Sequence, residues 1–208
     1  MLKSLSKNLK QYKQYTKNKL HYNQFEDYIN MGTFLPGLHL IKQNNIHAYR
    51  DQFGTEILVE TGTYLGDMVE AQKSEFKFVY SIELSVALHK KAVERFINDK
   101  HIKIIQGDSA IVLKGLLPEL NKPALFWLDG HYSGDITAQG DKDTPILSEL
   151  EQILKHNAAH VILIDDARLF TGKNDYPTIP ALCQFIISID PNKEIIIADD
   201  IIRITPKK

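Results

Sequence analysis

The chain has 208 residues, 43% hydrophobic and 25% charged, with a formal net charge of −1. This is ordinary soluble-protein composition, long enough for one large domain, and nothing global in it argues for a specific nucleic-acid partner. The single cysteine, Cys183, excludes an internal disulfide framework and fits a reducing compartment. No apolar run approaches the roughly 18 residues needed to span a bilayer, and residues 1–20 lack the apolar core of a secretory signal, so a cytoplasmic location is expected.

The N-terminal arm is basic. Lys3, Lys7, Lys10, Lys13, Lys17 and Lys19 all precede the first acid, Glu26, with Tyr12, Tyr15 and Tyr22 interleaved. Such an arm suits contact with an anionic surface, and it equally suits a solvated, frayed helix. Leu38 to Tyr49 has helix-compatible spacing. Residues 1–54 are therefore expected to form a helical extension that caps the sheet or covers the site.

From residue 55 short apolar runs alternate with helix-length segments, the pattern of a parallel sheet covered by helices. Strands are predicted at Glu56–Val59, Phe78–Ile82, Ile102–Ile105, Ala124–Leu128 and Val161–Ile164. Helices should follow over 67–74, 85–99, 109–120, 144–156 and 178–189. Thr144 is expected to cap the fourth of these, with Pro145 at its first position. Two last strands, EIIIA and IIRIT, flank only Asp199-Asp200 and should pair as an antiparallel hairpin. The expected fold is α/β: a Rossmann-like, doubly wound sheet of seven strands, mostly parallel, over residues 55–208.

In such a sheet ligands bind beyond the carboxyl ends of the strands. The polar residues there are Glu60-Thr61-Gly62-Thr63-Tyr64-Leu65-Gly66, Glu83, Gly107-Asp108-Ser109, Asp129-Gly130-His131-Tyr132 and Asp165-Asp166. Any one of these carboxylates passes for a helix cap. The whole set does not, because carboxylates at such positions are costly unless hydrogen-bonded, hydrated or bound to a cation. A dinucleotide turn would carry a middle glycine to let the backbone close on a pyrophosphate. Tyr64 stands in that place, which favours a nucleoside cofactor without phosphates, such as S-adenosylmethionine. Glu83 lies 23 positions after Glu60, the spacing at which a carboxylate accepts both ribose hydroxyls. Asp108 and Ser109 are placed to reach the adenine edge.

ETGTYLG, SIELS, IIQGDS, FWLDGHYSG and VILIDDA resemble the successive motifs of class I S-adenosylmethionine-dependent methyltransferases, over roughly residues 55–205. The glycine turn resembles that of the small-molecule O-methyltransferases of macrocin type. The resemblance implies a cofactor site of Glu60, Gly62, Thr63, Tyr64, Gly66, Glu83, Asp108, Ser109 and Asp129, with Gly62 and the surroundings of Glu60 at the methionine end. Asp129 with Asp165 and Asp166 offers three hard oxygen ligands that suit Mg²⁺ and resembles the metal site of macrocin-type and catechol-type O-methyltransferases. The loop after Asp129 is longer here, which leaves the geometry open. His131 is placed to take a proton from a substrate hydroxyl; with Asp129 it makes up the expected catalytic pair. The implied activity is Mg²⁺-assisted methylation of a hydroxyl on a small molecule. Metal-independent transfer and a non-catalytic nucleoside-binding module remain alternatives. The acceptor and the oligomeric state stay open.

Overall fold

The computed structural model describes residues 38–130 and 144–207. The basic arm, His131 and the acidic loop positions Asp135, Asp141 and Asp143 lie outside the described residues. Among the described residues, the strands are β1 (Ile57–Thr61), β2 (Phe78–Glu83), β3 (Ile102–Gln106), β4 (Leu125–Leu128), β5 (Val161–Ile164), β6 (Lys193–Ala198) and β7 (Ile201–Pro206). The helices are α1 (Leu38–Phe53), α2 (Asp67–Gln72), α3 (Val86–Arg95), α4 (Ser109–Leu116), α5 (Ile146–Lys155) and α6 (Ile179–Ile189).

The strands form one sheet in the order β3-β2-β1-β4-β5-β7-β6. Every pairing from β3 to β5 is parallel, and β7 runs antiparallel to both β5 and β6. The central strands β1, β4 and β5 are buried at every position, as continuous apolar runs covered on both faces must be. Alternation along them divides two cores. Val59, Phe126, Leu128 and Ile162 pack with Leu113 of α4, Leu150 of α5 and Leu182 of α6. Leu58, Leu125, Trp127 and Leu163 face the other way, against Ile46 of α1 and Met68 and Val69 of α2.

Two strand ends differ from expectation. β1 continues through Glu60 and Thr61, and β2 through Glu83, so residues expected in the turns belong to the sheet. The cause is strand pairing: Glu60 is opposite Ser81 on β2 and Trp127 on β4, and Glu83 is opposite Gln106 on β3. α5 begins at Ile146, one residue later than expected, with the Thr144 hydroxyl accepting the Ile146 N–H at 3.3 Å. The hairpin turn takes Asp199 and Asp200 to φ of 56° and 61°, the left-handed pair that a two-residue turn between twisted strands requires. No helix among the described residues is long and apolar enough to cross a membrane.

Candidate functional site at the carboxyl ends of the parallel strands

From β1 the chain steps one way to β2 and β3, while β4 and β5 lie on the other side. The resulting switch point opens a crevice above β1 and β4. The glycine turn lies on it. Gly62 donates its N–H to Ile82 O at 2.9 Å, and Asp129 donates to Thr61 O at 3.0 Å, which draws the ends of β1, β2 and β4 together. Gly62 has φ +88°, and a Cβ there would stand 2.5 Å from Asp129 O. Only glycine meets both conditions. Tyr64, in the place of a middle glycine, adopts φ +50° and is 46% exposed. Its ring leaves the turn rather than filling it.

Glu83, buried at the end of β2, ties this turn to the next one. Its Oε2 accepts the Tyr64 N–H and its Oε1 the Ser85 N–H, both at 2.8 Å. A carboxylate oxygen has two acceptor sites, so each oxygen keeps one for a further donor. Gly107 N–H donates to Glu83 O at 3.0 Å, and Asp108 caps α4 by accepting from Ala110 N–H at 2.8 Å. Ser109 opens that helix and is buried. Glu60, 2% exposed, accepts from Ser81, whose hydroxyl is 2.6 Å from that of Thr63. Burial pushes the Glu60 carboxyl up to about 8; the Ser81 hydrogen bond opposes this, while the charges of Asp129 and Glu83 add to it. Among the described residues no cation pairs with Glu60.

The three aspartates converge. Asp129, Asp165 and Asp166 each offer an oxygen, all within 4.8 Å of one another. Asp166, two residues past the end of β5, sits at φ +54°, and its N–H donates to Asp165 Oδ1 at 2.8 Å. Two cations reach the cluster. Lys42 of α1 is hydrogen-bonded and ion-paired to Asp165 and lies 3.6 Å from Asp166. Arg168 donates to Asp166 at 2.7 Å and pairs with Asp200. Burial pushes the Asp165 carboxyl well above the usual range, Asp129 and Asp166 push it further, and Lys42 pulls it back. For Lys42 burial lowers the pKa, but the charges of Asp165, Asp129 and Asp166 outweigh it and hold the ammonium protonated.

A cleft beside the cluster is lined by Asp129, Gly130, Thr144, Glu149, Asp165, Phe170 and Tyr176. Glu149 is 1% exposed, and its Oε1 has no hydrogen-bond partner among the described residues. Burial raises its carboxyl to about 7, against the pull of the Ser109 and Thr61 hydroxyls.

The structure thus brings Glu60, Gly62, Thr63, Tyr64, Gly66, Glu83, Asp108 and Ser109 around the first three strand ends, and Asp129, Asp165 and Asp166 around the next two. Lys42, Glu149 and Arg168 were not anticipated. Glu149 had a signal: with Ile146, Leu150 and Ile153 it falls on the apolar face of α5 at helical spacing. Lys42 had none, since its partners lie more than a hundred positions away; Arg168 stands two residues past Asp166, but its second partner, Asp200, comes from the hairpin. Asp199-Asp200, expected to serve only the turn, also hold Arg203 and Arg168.

The chain adopts the class I S-adenosylmethionine-dependent methyltransferase fold. No protein-family model matches the sequence, and no curated protein matches it. Solved structures do. A methyltransferase from Podospora anserina, PaMTH1, bound to S-adenosylhomocysteine (SAH), aligns with TM-score 0.57 at 18% identity over 99% of this chain and 96% of that one. An O-methyltransferase from Bacillus cereus, in complex with SAH, aligns with TM-score 0.58 at 14% identity, covering 88% and 87%. A putative caffeoyl-CoA O-methyltransferase from Staphylococcus aureus gives TM-score 0.55 at 11% identity, covering 97% and 99%.

Proposed function

We propose that this protein is an S-adenosylmethionine-dependent methyltransferase that methylates a hydroxyl on a small molecule with the help of a divalent cation, Mg²⁺ by preference. The observation that carries the reading is the placement of Glu83. Its carboxylate is fixed against the glycine turn by two backbone N–H groups, with acceptor capacity left for the two hydroxyls of a ribose. Glu60 adds to the fit. A buried carboxyl without a cationic partner matches the positively charged methionine end of the cofactor, whose arrival favours the ionised form. Asp108 and Ser109 would border the adenine, while Gly62, Thr63, Tyr64 and Gly66 form the turn beneath.

S-adenosylmethionine supplies a methyl group activated on a sulfonium. The acceptor hydroxyl must be oriented toward it and lose its proton. Asp129, Asp165 and Asp166 would hold the divalent cation, whose chemistry is to lower a hydroxyl's pKa. The donor set fits such an ion: three hard carboxylate oxygens converge within 4.8 Å of one another. His131, two positions past Asp129, is the proposed base, with Phe170 and Tyr176 walling the cleft on the acceptor side. Residues 1–54 are proposed to cap the crevice through α1, and the basic arm to meet an anionic surface.

Two substitutions separate the roles. Glu83→Ala should weaken binding of SAH by about tenfold or more, the loss of charge-assisted hydrogen bonds. Asp165→Ala should abolish transfer yet leave that affinity nearly unchanged. Isothermal titration with SAH measures both, and equal losses in the two variants contradict the assignment. A second reading, transfer without a metal, is favoured by one observation: the Lys42 ammonium is already paired with Asp165. Turnover that survives excess chelator would select it.

A further inference from the structure

The acidic cluster holds a cation of the chain's own. Lys42 comes to Asp165 from 123 positions away in the sequence. Its ammonium pairs with Asp165, whose side chain is fully buried, and stands 3.6 Å from Asp166. Arg168 donates to the same Asp166 oxygen, Oδ1, at 2.7 Å and also pairs with Asp200. Among the described residues, Asp165 therefore faces Lys42, while Asp166 and Asp200 face Arg168. A divalent ion held by Asp129, Asp165 and Asp166 would bring a further cation to the cluster. It would draw on the same Asp165 oxygens as the ammonium, and two cations crowded on one buried carboxylate repel strongly.

The two side chains differ in how easily they can leave. Arg168 presents a planar fork to two carboxylates, whereas lysine is a point charge on a flexible four-carbon stem. Three positions further along α1, Asn45 accepts from Arg203 Nη2 at 2.6 Å, so the helix keeps a second anchor when Lys42 withdraws. We infer that Lys42 is a tethered competitor for the divalent site: it neutralises the aspartates while no ion is bound, and must swing out for one to enter. Ion loading is thereby coupled to release of the first turns of α1 from the cleft. This rests on reading Asp129, Asp165 and Asp166 as the divalent site.

The test is calorimetric titration of Mg²⁺, with Mn²⁺ in parallel, into wild type, K42M and K42R, together with hydrogen exchange of α1. K42M should bind Mg²⁺ at least about tenfold more tightly, because no charged hydrogen bond has to be broken first. K42R, which keeps the charge, should show no such gain. In the wild type, saturating Mg²⁺ should speed exchange at residues 41–46. If wild type and K42M bind Mg²⁺ equally, the competition is refuted while the metal site stands. If neither variant nor wild type binds Mg²⁺ or Mn²⁺, the metal site itself falls and the competition with it. Should K42M fail to fold by circular dichroism, unchanged α1 exchange in Mg²⁺-saturated wild type is sufficient to overturn the inference.

Discussion

A methyl group on Gly62 would stand 2.5 Å from Asp129 O and 2.9 Å from its carbonyl carbon. Both are backbone atoms held by the Asp129 N–H bond to Thr61 O, so neither can move aside cheaply. Gly54 has a similar positive φ, +63°, but open space where a Cβ would go. The pair separates backbone strain from collision. Gly54→Ala should cost about 1 kcal/mol, the left-handed conformation alone. Gly62→Ala should cost roughly 2 kcal/mol more, because overpacking against fixed backbone adds to that strain. Urea melts of the two variants measure the difference, and equal losses would mean that the approach of β1 to Asp129 is soft. At this scale the glycines were legible, since Gly62 and Gly66 interrupt an apolar pattern where a turn must be. What sequence reading missed was why Tyr64 is tolerated: its side chain points to solvent, which no spacing rule reveals.

At the scale of elements, strands were readable from their apolar runs, but their ends were not. Glu60 and Glu83 read as turn residues because they are charged, yet Glu60 is paired on both sides and Glu83 with β3. α1 shows the same limit. Its helical spacing was visible, its attachment was not. Asn45 Oδ1 accepts from Arg203 Nε at 3.1 Å and Nη2 at 2.6 Å, and Arg203 also pairs with Asp199. Tyr49 lies under the same guanidinium, 5.9 Å from ring centroid to charge. These contacts fasten α1 to β7, 158 positions along the chain. Asn45→Leu leaves a buried guanidinium short of an acceptor and should cost about 2–3 kcal/mol. Amides of α1 should then exchange faster than those of β1, as hydrogen-exchange mass spectrometry would show; a uniform change across the sheet would mean that α1 does not open by itself.

For the whole molecule, the buried titratable groups set how stability depends on pH. Glu60 and Glu149 have folded pKa values raised to about 8 and about 7, burial being the largest cause, from an ordinary 4.5. Their contribution is therefore complete below about pH 4.5 and is lost as pH rises through the folded values. His160 works the other way. Its Nδ1 accepts the Ala124 N–H at 3.0 Å, and burial, with the charges of His156 and Lys193, lowers its pKa from 6.5 to about 4. Its contribution is complete above pH 6.5 and fades as pH falls toward 4. Glu60 and Glu149, with Asp165 and Asp200 raised in the same direction, outweigh the lowered His160 and give a net loss of stability from pH 5 to pH 8 without cofactor. Glu60→Gln should shrink that loss by on the order of 2 kcal/mol or more, since each tenfold change in a group's acidity on folding is worth about 1.4 kcal/mol. Urea melts at the two pH values check this, and an unchanged loss would show that Glu60 ionises freely in the folded chain.

The amino-acid sequence alone determined the alternation of strands and helices, the closing hairpin, the glycine turn and the row of acids beyond the strand ends. Each depends on neighbours close in the chain, whose periodicity and conformational limits act locally. Only the tertiary structure decided which acids meet, how Glu83 clasps the turn, and that Lys42 and Arg168 enter the acidic cluster. The contacts that close the site, Glu83 to Tyr64, Arg168 to Asp200 and Lys42 to Asp165, join residues 19, 32 and 123 positions apart. Their free energy comes from burial and charge pairing, which exist only once the sheet has assembled.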